Sequence, residues 1–109
     1  MPSAELWVEA FAWTLWIEVP IYLWALKKTD LSFSNAFSLS IGVNVFTHPA
    51  LWYLFPRFAA YWIWLLVAEC LVSLTEGLLI GLATSKMKWS IVLAFAVNAV
   101  STLVGLFVL

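Results

Sequence analysis

Charge is the scarcest thing in this chain. Of its 109 residues only 10% are charged and 65% are hydrophobic, whereas soluble domains carry roughly 25% charged and about 45–50% apolar residues. Mean hydropathy is +1.03. Small domains bury only part of their surface on folding, so a soluble chain of this length could not hide so much apolar side chain. Lipid is therefore the expected solvent. A net charge of −1 and the lack of any basic cluster exclude nucleic acid as a partner, because phosphate binding needs grouped Lys and Arg. A single cysteine, Cys70, excludes an intramolecular disulfide. No Lys or Arg precedes the first apolar run, and a cleavable signal peptide needs a basic start; that run is expected to be a retained span. No phosphate-binding loop, nucleophile–base pair or zincin motif is present, so no intrinsic catalytic activity is expected.

What is present is four long apolar runs: Leu6 to Leu26, Phe33 to Phe55, Ala60 to Ala83 and Trp89 to Leu109. A helix of about 20 apolar residues crosses a bilayer core of roughly 30 Å. The sequence thus predicts an all-α integral membrane fold of four transmembrane helices in one domain, residues 1–109. Lys27, Lys28, Lys86 and Lys88 flank the first and third connections, and only Arg57 lies in the second. Basic residues mark the cytoplasmic side, so both termini are expected outside. Trp24 and Trp89 would mark the inner interface, and Trp7, Trp52, Tyr53, Tyr61 and Trp62 the outer one.

An internal repeat is legible. One helix with two glutamates (Glu9 and Glu18, then Glu69 and Glu76) is followed by a lysine-bearing turn and a helix with a central asparagine, Asn44 or Asn98. Two such hairpins would enter the membrane in the same direction, as a parallel repeat.

The candidate site is the set of polar groups at membrane depth: Glu18, Asn44, His48, Glu69, Glu76 and Asn98. An ionised carboxylate at the bilayer centre costs at least ~2.5 kcal/mol, so such groups face a partner or a cavity. At roughly 100° per residue Glu69 and Glu76 share a face, as do Asn44 and His48, whereas Glu9 and Glu18 point to opposite sides. Glu18 is taken as the inward one, since Glu9 lies near the interface. Pro20 and Pro49 are expected to break their helices, freeing the carbonyls of Trp16 and Val45 beside Glu18 and His48. Ser73, Gly77 and Gly81 form a small-residue stripe suited to close helix packing, and Gly105 extends a similar stripe on the last helix.

No metal ligand set is assigned, because carboxylate sites in bundles usually carry a Glu-x-x-His pair and none occurs here. No cofactor is identified. The chain resembles the small multidrug resistance transporters in length, span number and a membrane-embedded Glu in the first helix. It departs from them in lacking glycine-rich, aromatic-containing signatures in helices 2 and 3, and in its extra carboxylates. The expected role is a subunit of a larger or oligomeric membrane complex, in a bacterial- or archaeal-type inner membrane, with the Glu/Asn/His cluster a candidate lining for a proton or cation path. The alternatives are a stand-alone proton- or cation-coupled transporter, and intramembrane binding of a metal, lipid or pigment. Expected partners are the lipid bilayer and other membrane subunits or further copies of the chain.

Overall fold

Long runs without charge and few helix breakers leave the backbone one economical option in an apolar solvent, the α-helix, which satisfies every interior N–H and C=O within one segment. The computed structural model describes residues 4–54 and 60–108. It contains four helices: α1 (Ala4–Leu26), α2 (Phe33–Leu54), α3 (Tyr61–Thr84) and α4 (Met87–Val108). Each packs against its neighbours in sequence, and α4 closes the ring on α1; among the described residues the backbones of the diagonal pairs stay apart, and side chains such as Tyr22 and Glu76 meet across the interior.

All four helices, of 22 to 24 residues, are long enough to cross a bilayer core at ~1.5 Å per residue. Among the described residues only two are also apolar enough by composition alone, over Ile63–Thr84 in α3 and Met87–Phe107 in α4. This qualifies the expectation of four self-evident spans. The reason is composition. Three glutamates interrupt α1, and α2 carries Ser34, Asn35, Ser38, Ser40, Asn44, Thr47 and His48.

Much of that polarity is turned inward. Among the described residues the buried set includes Glu18, Ser40, Asn44, Thr47, His48, Ser73, Glu76, Ser90, Asn98 and Ser101. The apolar part of the core is Tyr22, Leu26, Ala36, Val43, Ile80 and Val97. Outside, Trp16, Trp24, Phe33, Leu82, Val92 and Phe107 are exposed.

The helices run through both prolines. Pro20 lies inside α1 and Pro49 inside α2, so neither is the helix break expected from sequence. A proline removes one hydrogen bond of the ladder, and neighbouring helices hold the segment helical.

The lysine-bearing turns meet at one end of the bundle, where Lys86 Nζ donates to the Lys28 carbonyl at 3.3 Å. There Lys28 lies over the Trp24 ring at 5.2 Å and Lys86 over the Trp89 ring at 5.8 Å. In the α1–α2 turn the Thr29 hydroxyl donates to the Leu26 carbonyl, and Ser32 Oγ caps α2 by accepting from the Asn35 N–H at 3.1 Å. The α3–α4 turn is tighter. Ser85 ends α3 in the left-handed conformation, φ 60°, with its N–H on the Gly81 carbonyl.

Gly77 and Gly81 explain how α3 and α4 come so close. A methyl added at Gly77 would stand 2.7 Å from Ile91 Cα, and one at Gly81 3.0 Å from Met87 Cα. Gly105 differs: nothing lies within 4 Å of a methyl added there, so its place in a packing stripe is corrected. It sits near the end of α4, where no neighbouring helix approaches that closely.

Gly77→Ala is expected to lower stability by about 1–3 kcal/mol through overpacking. Gly42→Ala, whose methyl meets nothing within 4 Å, should raise it by up to about 1 kcal/mol. Denaturant titration in mild detergent reads both, and equal effects would contradict the α3–α4 contact. In the same assay Ser85→Gly should stabilise by about 1 kcal/mol, because glycine adopts the left-handed region without the Cβ penalty.

Candidate functional site

One carboxylate organises the interior. Glu76 on α3 is fully buried and is reached from each of the other three helices. From α1, the Tyr22 hydroxyl donates to Glu76 Oε1 at 2.7 Å. From α4, Asn98 Nδ2 donates to the same oxygen at 3.1 Å. From α2, the Thr47 hydroxyl donates to Glu76 Oε2 at 2.7 Å, and His48 Nε2 lies 3.9 Å from that oxygen.

Thr47 is shared. Its hydroxyl also lies 2.9 Å from the Val43 carbonyl, and a hydroxyl has one hydrogen to give. With Glu76 ionised, that hydrogen serves the carboxylate. With a proton on Glu76 Oε2, Glu76 donates to Thr47 and Thr47 donates to Val43. The same heavy-atom positions accommodate both states, which is what a group that takes up and releases a proton requires.

Around this carboxylate are groups without partners. Glu18 Oε1, His48 Nε2, Asn44 Oδ1 and Asn98 Oδ1 are buried and make no hydrogen bond. A buried polar group left unpaired costs about 1–3 kcal/mol, so four such atoms in one small bundle call for an explanation. Three of the residues draw together: one ligating atom each from Glu18, His48 and Glu76 lie within 4.8 Å of one another. They come from α1, α2 and α3, and Ser101 of α4 stands beside Glu18.

The asparagines play matched parts. Asn44 Nδ2 donates to the Ser40 carbonyl at 2.9 Å and Asn98 Nδ2 to the Ala94 carbonyl at 2.8 Å, each four residues back on its own helix. Only Asn98 is also bonded to Glu76.

Of the residues singled out from sequence, the structure gathers Glu18, His48, Glu76 and Asn98, buries Asn44 one turn from His48, and leaves Glu9 exposed. Glu69 stands apart and is corrected as a member of the centre. It lines a separate groove of about 520 Å³ between α3 and α4 with Cys70, Ser73, Phe95 and Thr102. It shares a helix face with Glu76, but two turns separate them along the axis by ~10 Å.

Sequence reasoning missed Tyr22 and Thr47, both in direct contact with Glu76. Their spacing offered a signal. Tyr22 is four residues after Glu18 and Thr47 three after Asn44, each therefore on the same helix face as its partner.

Comparison with known proteins adds no assignment: no family model, curated protein or solved structure matches this chain.

Tyr22→Phe is expected to cost about 0.6–1.7 kcal/mol, the range for interhelical hydrogen bonds in membranes, and much less in a Glu76→Gln background. Thr75→Val, at a hydroxyl serving the Leu71 carbonyl of its own helix, should change stability by under ~0.5 kcal/mol. A double-mutant cycle in detergent measures the coupling; additivity of Tyr22→Phe and Glu76→Gln would contradict the bond.

Proposed function

We propose that this chain is a four-span membrane protein whose interior holds a cation, a proton or a metal ion, and that it works as a subunit of a larger or oligomeric assembly in a cytoplasmic-type membrane. The observation that carries the reading is the convergence of Glu18, His48 and Glu76 within 4.8 Å inside a bundle with large apolar side chains on its outer surface. Carboxylates at membrane depth commonly mark proton or cation routes. Interhelical hydrogen bonds in membranes are worth only about 0.6 kcal/mol on average, a weak return for burying two carboxylates as helix glue.

Several features support the four spans. The molecule is 40 Å long, close to the ~40–45 Å of a bilayer with its headgroups. Part of the polarity that depresses the hydropathy of α1 and α2, namely Glu18, Ser40, Asn44, Thr47 and His48, is buried in the interior. The lysines gathered at one end favour that end as cytoplasmic, with both termini outside. The matched asparagines favour two related hairpins.

The assembly role is supported by α2. Ser34, Ser38 and Gly42 recur every fourth residue and are exposed, and a methyl at Gly42 would meet nothing. Small residues at this spacing let a second membrane helix approach closely. The stand-alone carrier is the second reading, favoured by the two hydrogen-bonding states of Glu76 and Thr47, which need no further subunit.

Purification in mild detergent followed by reconstitution separates these readings. For the subunit, the chain travels with other polypeptides or further copies, is silent alone, and the assembly's proton or cation flux is lost in Glu18→Gln and Glu76→Gln. Flux from the chain alone, lost in the same variants, assigns the carrier. A monomer without flux in any preparation rejects both.

A further inference from the structure

The Glu18–His48–Glu76 centre has a donor set richer than a proton needs. We propose that it binds one divalent transition-metal ion of the zinc class, an inference that rests on the reading of this centre as a cation site. The set is one imidazole nitrogen and two carboxylates. That mixture suits zinc and its first-row neighbours; calcium and magnesium take all-oxygen shells, and copper(I) takes sulfur. The single thiol, Cys70, is exposed on the α3–α4 groove.

Geometry supports the assignment. Ligands of a tetrahedral ion, each ~2.1 Å from it, lie ~3.4 Å apart. One ligating atom from each of the three residues already lies within 4.8 Å of the others and His48 Nε2 is 3.9 Å from Glu76 Oε2, so side-chain movements of about 0.5–1.4 Å close the set. Two of the three residues present a buried atom with no hydrogen-bond partner, Glu18 Oε1 and His48 Nε2, which is the condition of ligands waiting for an ion rather than of a completed polar network.

Charge supports it too. Buried carboxylates need a counter-charge, and among the described residues the basic ones, Lys27, Lys28, Lys86 and Lys88, lie in the connecting segments or the first turn of α4. A dication neutralises both glutamates at once. Tyr22, Thr47 and Asn98 already hold the Glu76 carboxylate in place, the role that outer hydrogen-bonding partners play at metal sites. Three protein ligands leave a tetrahedral ion one position for water or an incoming group.

The test uses the full chain in detergent micelles, stripped with chelator and titrated with Zn²⁺. Calorimetry and metal analysis should give one ion per chain. X-ray absorption at the zinc edge should show one imidazole nitrogen among oxygens at ~2.0–2.2 Å, a measurement that needs no variant. His48→Asn and Glu18→Gln should each weaken binding by about tenfold or more, the scale on which even outer partners act, while Glu9→Gln leaves it unchanged. Absence of bound Zn²⁺ above the empty-micelle control, or a zinc shell without imidazole nitrogen, overturns the proposal. If Glu76-dependent proton flux persists in the stripped protein while zinc fails to bind, the metal assignment falls and the cation reading stands. Loss of both overturns both.

Discussion

The carboxylate of Glu76 is the point on which the bundle depends. It belongs to α3, yet its hydrogens come from Tyr22 on α1, Thr47 on α2 and Asn98 on α4. In a membrane interior the hydrophobic effect gives helices no reason to prefer each other over lipid, so packing and interhelical hydrogen bonds must supply it. Individually such bonds are weak. Here they share one acceptor that has no other place to go, because moving any helix outward would strand a buried charge or its donor. Close packing through Gly77 and Gly81 fixes α3 against α4, and the carboxylate then fixes the remaining two.

This arrangement exchanges the usual places of polar and apolar side chains. Several serines, threonines and asparagines of the interior turn back on their own helices, as Ser40, Asn44 and Asn98 do on carbonyls four residues earlier. They need no partner helix and allow backbones to approach. The long-range bonds of the interior converge on Glu76, from Tyr22, Thr47 and Asn98. A water-soluble bundle of this size would have little to gain from such an interior, since its stability rests on buried apolar area.

Much of the fold was legible in the sequence because it is one-dimensional information: run length, lysine positions and the small residues of α3 each speak for themselves. Glu18 and Glu9 could be told apart by the 100° helical step. The centre was harder, because its members lie on different helices and at matched depths, and depth depends on where each helix begins. A one-turn error moves a residue by ~5.4 Å, enough to merge Glu69 with Glu76 wrongly. Metal-ligand spacing was invisible for the same reason. A Glu-x-x-His pair is a signal within one helix, whereas Glu18, His48 and Glu76 contribute one residue each. The prolines misled through a rule made for water, where a freed carbonyl is readily hydrated and the helix can end.

The two glutamates of the centre are not equivalent, and the difference bears on what the site can do. Glu76 is held by three donors and has a defined place. Glu18 is as deeply buried but has an oxygen with no partner, and so carries the larger part of the uncompensated cost. A buried acceptor in that condition binds whatever cation can reach it, because the gain is measured against an unsatisfied state rather than against water. His48, with an equally unpartnered Nε2, lies 3.9 Å from Glu76 Oε2. The fixed carboxylate therefore sets the geometry, and the two unsatisfied groups supply the affinity.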